Sequence, residues 1–160
     1  MRIGVVSDTH NQLRNVTRIV ELFDAARVDR VVHTGDITQA RTLEVLAGLA
    51  APLVGVFGNN DEREPLRAAA RSAGIRLEEP PLSLAWQERR LLILHDPHFL
   101  SDAMLAEHDV VLHGHTHRAV HERRNGALVF NPGECAGMLR GHNAVGLLTL
   151  ESLEVEWLRF

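Results

Sequence analysis

Three short apolar runs in the first 60 residues each end in a polar motif, and this alternation restricts the fold more than any other feature. The runs cover residues 3–6, 31–33 and 53–57, and amphipathic stretches at residues 13–26 and 40–49 separate them. Continuous apolar runs that alternate with amphipathic helices are typical of parallel strands covered on both faces. The sequence therefore predicts a βαβαβ unit at the start of the chain.

The second half of the chain has a different rhythm, because its apolar runs follow one another with few amphipathic stretches between them. The runs cover residues 82–86, 91–94, 110–113, 128–130, 145–150 and 155–158. This succession predicts a second, mostly antiparallel sheet. Two sheets packed together with helices outside give an α/β fold, a four-layer αββα sandwich of two mixed sheets. A chain of 160 residues can bury one substantial core, so we expect a single domain over residues 1–160.

Aspartate, asparagine and histidine residues stand where the predicted strands end. In open α/β sheets, ligands bind at the carboxyl ends of the strands. Alternate side chains of an extended segment point the same way, so the outer residues of an Asp-Thr-His or His-Thr-His triplet can converge on one small volume. We therefore predict a two-metal site, typical of a hydrolytic enzyme. Its candidate ligands are Asp8, His10, Asp36, Asn59, His95, His115 and His117.

The ligand types restrict the ions and suggest which residue joins them. Asp36 follows Gly35, and a carboxylate has two oxygens, so we predict that Asp36 bridges two cations. Imidazole and carboxylate ligands without thiolate suit transition metals better than calcium or magnesium, which prefer oxygen ligands. We expect two divalent transition metal ions, with manganese as the first choice and iron, zinc, nickel or cobalt as alternatives.

The ordered motifs SDTH, GD, GNND, a histidine after an apolar strand, GHTH and NPG resemble those of the calcineurin-like metallophosphoesterases. Among these the chain most resembles the small single-domain phosphodiesterases of bacteria and archaea, from Met1 to the last strand. The resemblance implies that Asp36 belongs to both metal sites. It implies that one ion is held by Asp8, His10, Asp36 and His117, and the other by Asp36, Asn59, His95 and His115. It also makes Asp36, Asn59 and His95 the expected catalytic residues.

Charge supports a small phosphate ester as the substrate. Two divalent ions carry four positive charges, and Asp8, Asp36 and one bridging hydroxide offset three of them. The remaining charge of about plus one favours an anion whose oxygens span two ions. The ions lower the pKa of a bound water from about 15.7 towards 7, so a metal-activated hydroxide can attack phosphorus. A phosphodiester or a monoester fits this charge, and the family resemblance makes a phosphodiesterase the expected activity.

One motif position departs from many relatives. The residue after Asn59 is Asn60, whereas many members of the family carry a histidine there that is taken to protonate the leaving group. An amide cannot act as a general acid near neutral pH, and such an acid contributes about 10² to 10⁴ in rate. His98 is the candidate substitute acid or substrate contact. Asp61 is expected to support a ligand or the loop.

The segment after the NPG turn also departs from the family. Glu134 stands where relatives have serine, and Leu139 precedes Arg140 where they have proline. Arg140 is either a phosphate contact or a surface ion-pair residue. Glu134 would repel highly anionic substrates if it faced the site, and would have no effect if it faced solvent.

The remaining histidines receive structural interpretations. His33 and His113 lie inside apolar runs, so we favour hydrogen-bonded strand histidines over a role behind the metal ligands. Surface or packing roles are expected for the other three, which are His108, His121 and His142.

Composition bears on compartment and partners. All 17 basic residues are arginine, against 21 acidic ones, and a net charge of −4 argues against a nucleic-acid groove. The single Cys135 excludes an internal disulfide, and we expect neither a signal peptide before the first strand nor a membrane-spanning run. We expect a cytoplasmic protein, and the sequence leaves a homo-oligomer open.

Two other function classes compete with the enzyme. The first is a protein-interaction scaffold, because the retromer subunit of this fold acts mainly as an interaction surface after altering some of its metal ligands. Competent residues at all the ligand positions argue against that role here. The second is a nuclease, which would need a basic groove or an added DNA-binding domain.

Overall fold

The computed structural model describes residues 1–139 and 141–160. Its strands are β1 Arg2–Val6, β2 Arg30–His33, β3 Leu53–Val56, β4 Arg76–Glu78, β5 Leu82–Trp86, β6 Arg89–Ile93, β7 Val110–Leu112, β8 Val120–Arg124, β9 Ala127–Asn131, β10 Ala144–Thr149 and β11 Glu154–Arg159. Its α-helices are α1 Leu13–Ala26, α2 Ala40–Leu46, α3 Arg63–Ala73 and α4 Asp102–Glu107, and a 3₁₀ turn covers Pro97–Phe99.

The first sheet contains the predicted βαβαβ unit. Its strand order is β11-β10-β1-β2-β3-β4, and β1 to β4 are parallel. Strand β10 runs antiparallel to both β1 and β11. Helix α1 has the predicted bounds, whereas α2 ends at Leu46 and not at residue 49. The parallel arrangement brings the carboxyl ends of β1, β2 and β3 to one edge.

The second sheet corrects the prediction that it is mostly antiparallel. Its order is β5-β6-β7-β9-β8, and the two central pairings, β6 with β7 and β7 with β9, are parallel. The antiparallel pairs are the hairpins at its edges, and the last two strands of the chain join the first sheet instead. The crossover from β6 to β7 runs through α4, a helix of six residues that is too short to show a helical period. Ser101 caps α4 by accepting a hydrogen bond from the Met104 amide. This N-cap serine was the feature of the sequence that could have indicated the helix.

Three apolar clusters match the four layers of the predicted sandwich. Helices α1, α2 and α3 pack on the outer face of the first sheet through side chains such as Phe23 and Leu66. The two sheets pack on each other through residues such as Val5 and Ile93. Helix α4 covers the second sheet through Leu105. The α/β fold of two mixed sheets flanked by helices is thereby confirmed. Among the described residues, no helix combines the length and apolar character needed to span a membrane.

Candidate metal centre

The candidate ligands follow the carboxyl ends of strands from both sheets. Asp8 and His10 follow β1, Asp36 follows β2, and Asn59 follows β3. The other three follow strands of the second sheet, His95 after β6 and the pair His115 and His117 after β7. Because β1, β2 and β3 are parallel neighbours and β6 and β7 are as well, the two edges deliver all these side chains to one region.

The backbone is left-handed at five of the seven candidate ligands, and the two triplets are not the extended chain that the triplet argument assumed. Strand β1 ends at Val6, before its triplet begins, and β7 ends at Leu112. The positive φ angles at the candidate ligands are 51° at Asp8, 43° at His10, 57° at Asp36, 67° at His115 and 57° at His117. Such conformations cost free energy in residues other than glycine and cluster at functional sites.

Glycine makes one of these turns possible. Gly35 has a φ of +107°, and a Cβ atom at this position would lie 2.6 Å from His95 Nδ1. A larger residue would therefore strain the turn and collide with a candidate ligand. The sequence argument that Gly35 permits close approach of the backbone at Asp36 agrees with this geometry.

Three side chains form what we call the Asp8 half of the centre: Asp8, His10 and His117. The Nε2 atoms of the two histidines lie 3.4 Å apart, and His117 Nε2 lies 3.5 Å from Asp8 Oδ1. His10 Nε2 is also 3.4 Å from Asp36 Oδ2. Nitrogen and oxygen atoms at these separations can surround a single cation.

The Asn59 half contains Asn59, His95 and His115. Asn59 Oδ1 lies 3.0 Å from both His95 Nε2 and His115 Nδ1, and these two nitrogens are 3.3 Å apart. His95 Nε2 is 3.4 Å from Asp36 Oδ2, the same oxygen that His10 approaches. Asp36 thus contacts both halves through one atom, which is the geometry a bridging ligand needs.

A buried carboxylate oxygen without a hydrogen-bond partner also indicates that these donors suit cations. Asp8 Oδ1 is buried, and none of the residues in 1–139 and 141–160 supplies it with a hydrogen bond. A buried carboxylate oxygen without a partner carries a large desolvation cost unless a cation or proton satisfies it. This oxygen points towards His10 and His117, where a cation would meet it.

The two carboxylates differ in their electrostatics. Burial by itself would raise the pKa of Asp36, but hydrogen bonds from His95 and Asn60 outweigh burial and hold that pKa below its ordinary value. Burial raises the pKa of Asp8, although a hydrogen bond from Ser7 opposes it. Hydrogen bonds therefore favour the anion of Asp36, whereas burial disfavours the anion of Asp8, which a cation beside it would stabilise.

Glu134 lies behind the Asp8 half, which corrects both orientations considered for it. The side chain is fully buried, and its Oε2 lies 3.3 Å from His117 Nδ1. The backbone amides of Met138 and Leu139 donate to its carboxylate at 3.3 and 2.7 Å. It neither faces the substrate side nor solvent. A carboxylate on the second nitrogen of a histidine fixes the ring and is the common arrangement behind metal ligands.

The Asn59 half has a neutral counterpart in this position. His95 Nδ1 donates to the carbonyl oxygen of Thr34 at 2.9 Å, which turns Nε2 towards the centre. His115 Nε2 lies 3.7 Å from Asp96 Oδ2, beyond hydrogen-bond distance.

Asn60 and Asp61 hold the loop after β3 against Asp36. The backbone amide of Asn60 donates to Asp36 Oδ1 at 2.9 Å, and its side-chain Nδ2 donates to Asp36 Oδ2 at 2.8 Å. Asp61 accepts hydrogen bonds from the amides of Gly58, at 2.7 Å, and Thr38. The expected support from Asp61 is confirmed. The contact of Asn60 with both oxygens of Asp36 was not predicted.

His33 is a hydrogen-bonded strand histidine, as expected, whereas His113 is hydrogen-bonded but directly follows the end of β7. His33 lies 3.1 Å from the hydroxyl of Thr9 and accepts a hydrogen bond from the Gly35 amide at 3.2 Å. Burial lowers the pKa of His33 to about 3, so the ring is neutral. Because Thr9 and Gly35 flank candidate ligands, this neutral ring also braces two of the ligand turns. His113 is buried beside the Gly114 carbonyl at 3.2 Å.

The remaining candidates lie further out. The side chain of His98 is 81% exposed, and its Nδ1 lies 2.7 Å from Asp96 Oδ1. Its role as a substitute acid stays a prediction. Arg140, the candidate phosphate contact, lies outside the described residues. His108 packs under the second sheet with Nε2 at 2.9 Å from the Ser83 hydroxyl, and His121 packs on Phe130 and Trp157.

Comparisons with known proteins agree with this geometry. The model of the calcineurin-like phosphoesterase superfamily domain matches residues 1–153. A phosphodiesterase of Methanocaldococcus jannaschii is 33% identical over 159 residues, which are 96% of each chain. Phosphodiesterase YfcE of Escherichia coli is 27% identical over 97% of this chain and 91% of its own. A solved archaeal phosphodiesterase superposes with a TM-score of 0.92 at 31% identity, covering 100% of both chains.

Proposed function

The chain belongs to the calcineurin-like phosphoesterase superfamily, and from this premise we propose that it is a phosphodiesterase that depends on two divalent metal ions. The family implies metal-dependent hydrolysis of phosphate esters. The preference for diesters is an inference from the similar phosphodiesterases.

One observation carries the proposal: a histidine nitrogen from each half, His10 Nε2 and His95 Nε2, lies 3.4 Å from the same oxygen, Asp36 Oδ2. We propose that one ion is held by Asp8, His10, Asp36 and His117 and the other by Asp36, Asn59, His95 and His115. Bound there, the ions would supply Lewis-acid charge to a phosphate ester and acidify a water for attack on phosphorus.

The surrounding residues prepare these donors for their task. The Thr34 carbonyl fixes His95 with Nε2 facing inwards, and Glu134 does the same for His117. Asn60 fixes the plane of the Asp36 carboxylate through two hydrogen bonds. These contacts reduce the reorganisation that binding ions would otherwise require.

Manganese is the ion we infer first. The proposed donors are imidazole nitrogens, carboxylates and one amide oxygen, which suit Mn(II) and leave Fe, Zn, Ni and Co as alternatives. Cys135 takes no part, because its thiol is buried and donates to the Ala144 carbonyl at 3.3 Å. Burial also raises the pKa of this thiol well above its ordinary value, which disfavours a thiolate ligand.

The substrate we infer is a small phosphate ester and not a nucleic acid. The net charge of −4 provides no general attraction for a polyanion. We further infer a cytoplasmic enzyme with one catalytic domain over residues 1–160. The unpaired Cys135 agrees with a reducing compartment.

A hydrolysis screen tests the proposal. Purified protein is stripped of metal, reloaded with Mn(II), Ni(II) or Zn(II), and given aryl phosphodiesters, aryl monoesters, cyclic nucleotides and dinucleotides. We expect metal-dependent hydrolysis with the highest kcat/KM for an aryl diester. Absence of turnover in protein that holds two ions per chain would contradict the proposal and favour an interaction scaffold.

A further inference from the structure

A cleft of about 680 Å³ opens from the Asn59 half of the centre. Asn59, His95 and His115 form its inner end. Its remaining walls are largely apolar and are formed by Phe57, Pro80, Pro81, Leu94, Phe99 and Met104. We call it the Phe99 cleft. Its volume lies within the range of about 300 to 1,000 Å³ that is typical of small-molecule sites.

Phe99 stands at the rim of this cleft with 76% of its surface exposed. An exposed apolar residue alone needs no explanation, but this one borders an apolar cleft that ends at candidate metal ligands. The turn that carries Phe99 begins at Pro97, two residues after His95, and is fixed at its start. Asp96 Oδ1 accepts the His98 amide at 2.9 Å, and the Asp96 carbonyl accepts the Phe99 amide at 3.2 Å.

Phe57, in another wall of the Phe99 cleft, is held in place by its neighbours. Phe57 is fully buried, and the guanidinium groups of Arg63 and Arg67 lie 5.5 and 4.9 Å from the centre of its ring. Arg63 also lines the cleft, but its Nε lies 3.2 Å from Glu79. Glu79 also pairs with Arg67, so one carboxylate serves two arginines and offsets the charge of Arg63 only in part.

The cleft beside the Asp8 half has a different character. It measures about 410 Å³ and is bordered by His117 and Leu139, together with Arg118, His142 and Arg159. Arginine and histidine side chains suit anionic or polar groups. The two sides of the centre therefore offer different surroundings to the groups attached to one phosphorus atom.

We propose that the Phe99 cleft binds an aromatic or similarly apolar ester group of the phosphate substrate, with Phe99 contacting its ring. This inference rests on the proposed phosphodiesterase function of the same centre. A phosphoryl group at the centre places its ester group within a few bond lengths of Asn59 and His95, where the cleft begins. An aromatic ring there would bury apolar surface against Pro81, Phe99 and Met104, which is favourable and adds the specific geometry of an aromatic pair with Phe99.

Binding of two phosphonates to the manganese-loaded protein, measured by calorimetry, tests this assignment. Phenylphosphonate and methylphosphonate present the same anionic group. In both, a carbon–phosphorus bond replaces the ester bond, so neither compound is hydrolysed. We expect the wild-type protein to bind phenylphosphonate about tenfold more tightly, as burial of much of the ring would give. Phe99→Ala should reduce this preference to about threefold or less, since it removes one wall of the cleft.

Leu139→Ala is the matched control, because Leu139 is also an exposed apolar side chain, 48% exposed, beside the centre. It should leave the tenfold preference unchanged. Equal affinities for the two phosphonates in the wild type, binding of neither, or an unchanged preference in Phe99→Ala would each overturn the assignment. Loss of the preference in Leu139→Ala would place the ring in the other cleft and overturn it as well.

Failure of this inference can be distinguished from failure of the proposed function. A phenyl preference that depends on Phe99, in protein that hydrolyses no ester, would retain the cleft assignment and remove the enzyme. Hydrolysis of aryl diesters without a phenyl preference would retain the enzyme and remove the cleft assignment.

Discussion

The two halves of the candidate centre share Asp36 but differ in what stands behind their histidines. Behind His117 is the buried carboxylate of Glu134, whereas behind His95 is the neutral carbonyl of Thr34. A negative charge there strengthens a histidine as a ligand more than a neutral acceptor does. Similar ligand sets can therefore differ in their affinity for metal because of residues that contact no ion.

The halves also differ in their access to substrate. The side chain of Asp8 is completely buried, whereas His115 is 35% exposed and borders the Phe99 cleft. We therefore expect the Asp8 half to hold its ion more tightly. The Asn59 half should be more closely involved in contact with the ester group of the substrate.

The largest expected effect comes from removing what the halves share. Asp36→Asn should lower kcat/KM for an aryl diester by about 10⁴-fold, because both ions lose their common anion and each contributes several kcal/mol. His115→Ala disturbs the Asn59 half alone and should cost less, about 10²-fold. Steady-state kinetics at saturating Mn(II) on folded variants make the comparison. Equal losses in the two variants would show that Asp36 does not link the halves.

The second largest effect concerns the general acid for the leaving group, which neither half of the centre supplies. Asn60 donates to both oxygens of Asp36 and cannot protonate a leaving group, so aryl esters should react much faster than alkyl esters. Asn60→His should help alkyl esters selectively, within the roughly 10² to 10⁴ that a general acid gives, less the cost of the lost contact with Asp36. Rates for a series of leaving groups measure this dependence.

His98→Ala is the informative companion to Asn60→His. If alkyl and aryl esters react at similar rates in the wild type, and His98→Ala abolishes the alkyl reaction alone, then His98 is the acid. The interpretation of Asn60 as a missing acid would then be wrong.

Glu134→Gln sharpens the contrast between the halves. It removes the charge behind His117 and retains one oxygen that can accept the Leu139 amide. Affinity for the more tightly bound ion should fall by about 10- to 100-fold, the usual cost of losing such a partner. Asp96→Asn is the control in the Asn59 half and should change affinity little, because Asp96 is 3.7 Å from His115 and partly exposed. Competition with a fluorescent chelator measures both. A larger loss in Asp96→Asn would reverse the comparison.

The smallest expected effect is the loss of thermal stability when the metal is removed. An ion that binds only the native state stabilises it by about 2.7 kcal/mol at a hundredfold excess over its Kd. For a chain of this size this corresponds to a rise in Tm of roughly 5 to 10 °C. Calorimetry of stripped and Mn-loaded protein measures the shift, which Asp36→Asn should largely lose. Identical melting temperatures in the two wild-type samples would be incompatible with the site.

The fold was predictable where local pattern and packing agree. Helix α1 has an apolar face and ends at Arg27 in a left-handed cap, and its bounds follow from its period. Strands β4 and β8 were missed because one has three residues and the other is almost entirely polar at the edge of its sheet. Strands β10 and β11 were assigned to the wrong sheet, because pairing between distant segments leaves no local signal.

The candidate site was predictable in its members but not in its supports. The ligand motifs are visible because each follows a strand, whereas the partner of a ligand can come from any segment. Glu134 is 17 residues from His117 along the chain, and its position directly after the NPG turn gave no direction for its side chain. The left-handed turns at Asp8 and His10 were also hidden, because non-glycine residues rarely adopt them without tertiary contacts.

The central claim, that Asp36 joins two cation sites, is tested most directly by counting bound ions. Metal-stripped protein is dialysed to equilibrium against increasing Mn(II), and bound manganese per chain is measured by elemental analysis. If Asp36 joins the two sites, wild-type protein should bind two ions per chain in two steps of different affinity. His115→Ala should bind one ion, and Asp36→Asn should lose both at the same concentrations. One ion or none in folded wild-type protein, or two fully bound ions in Asp36→Asn, would contradict it.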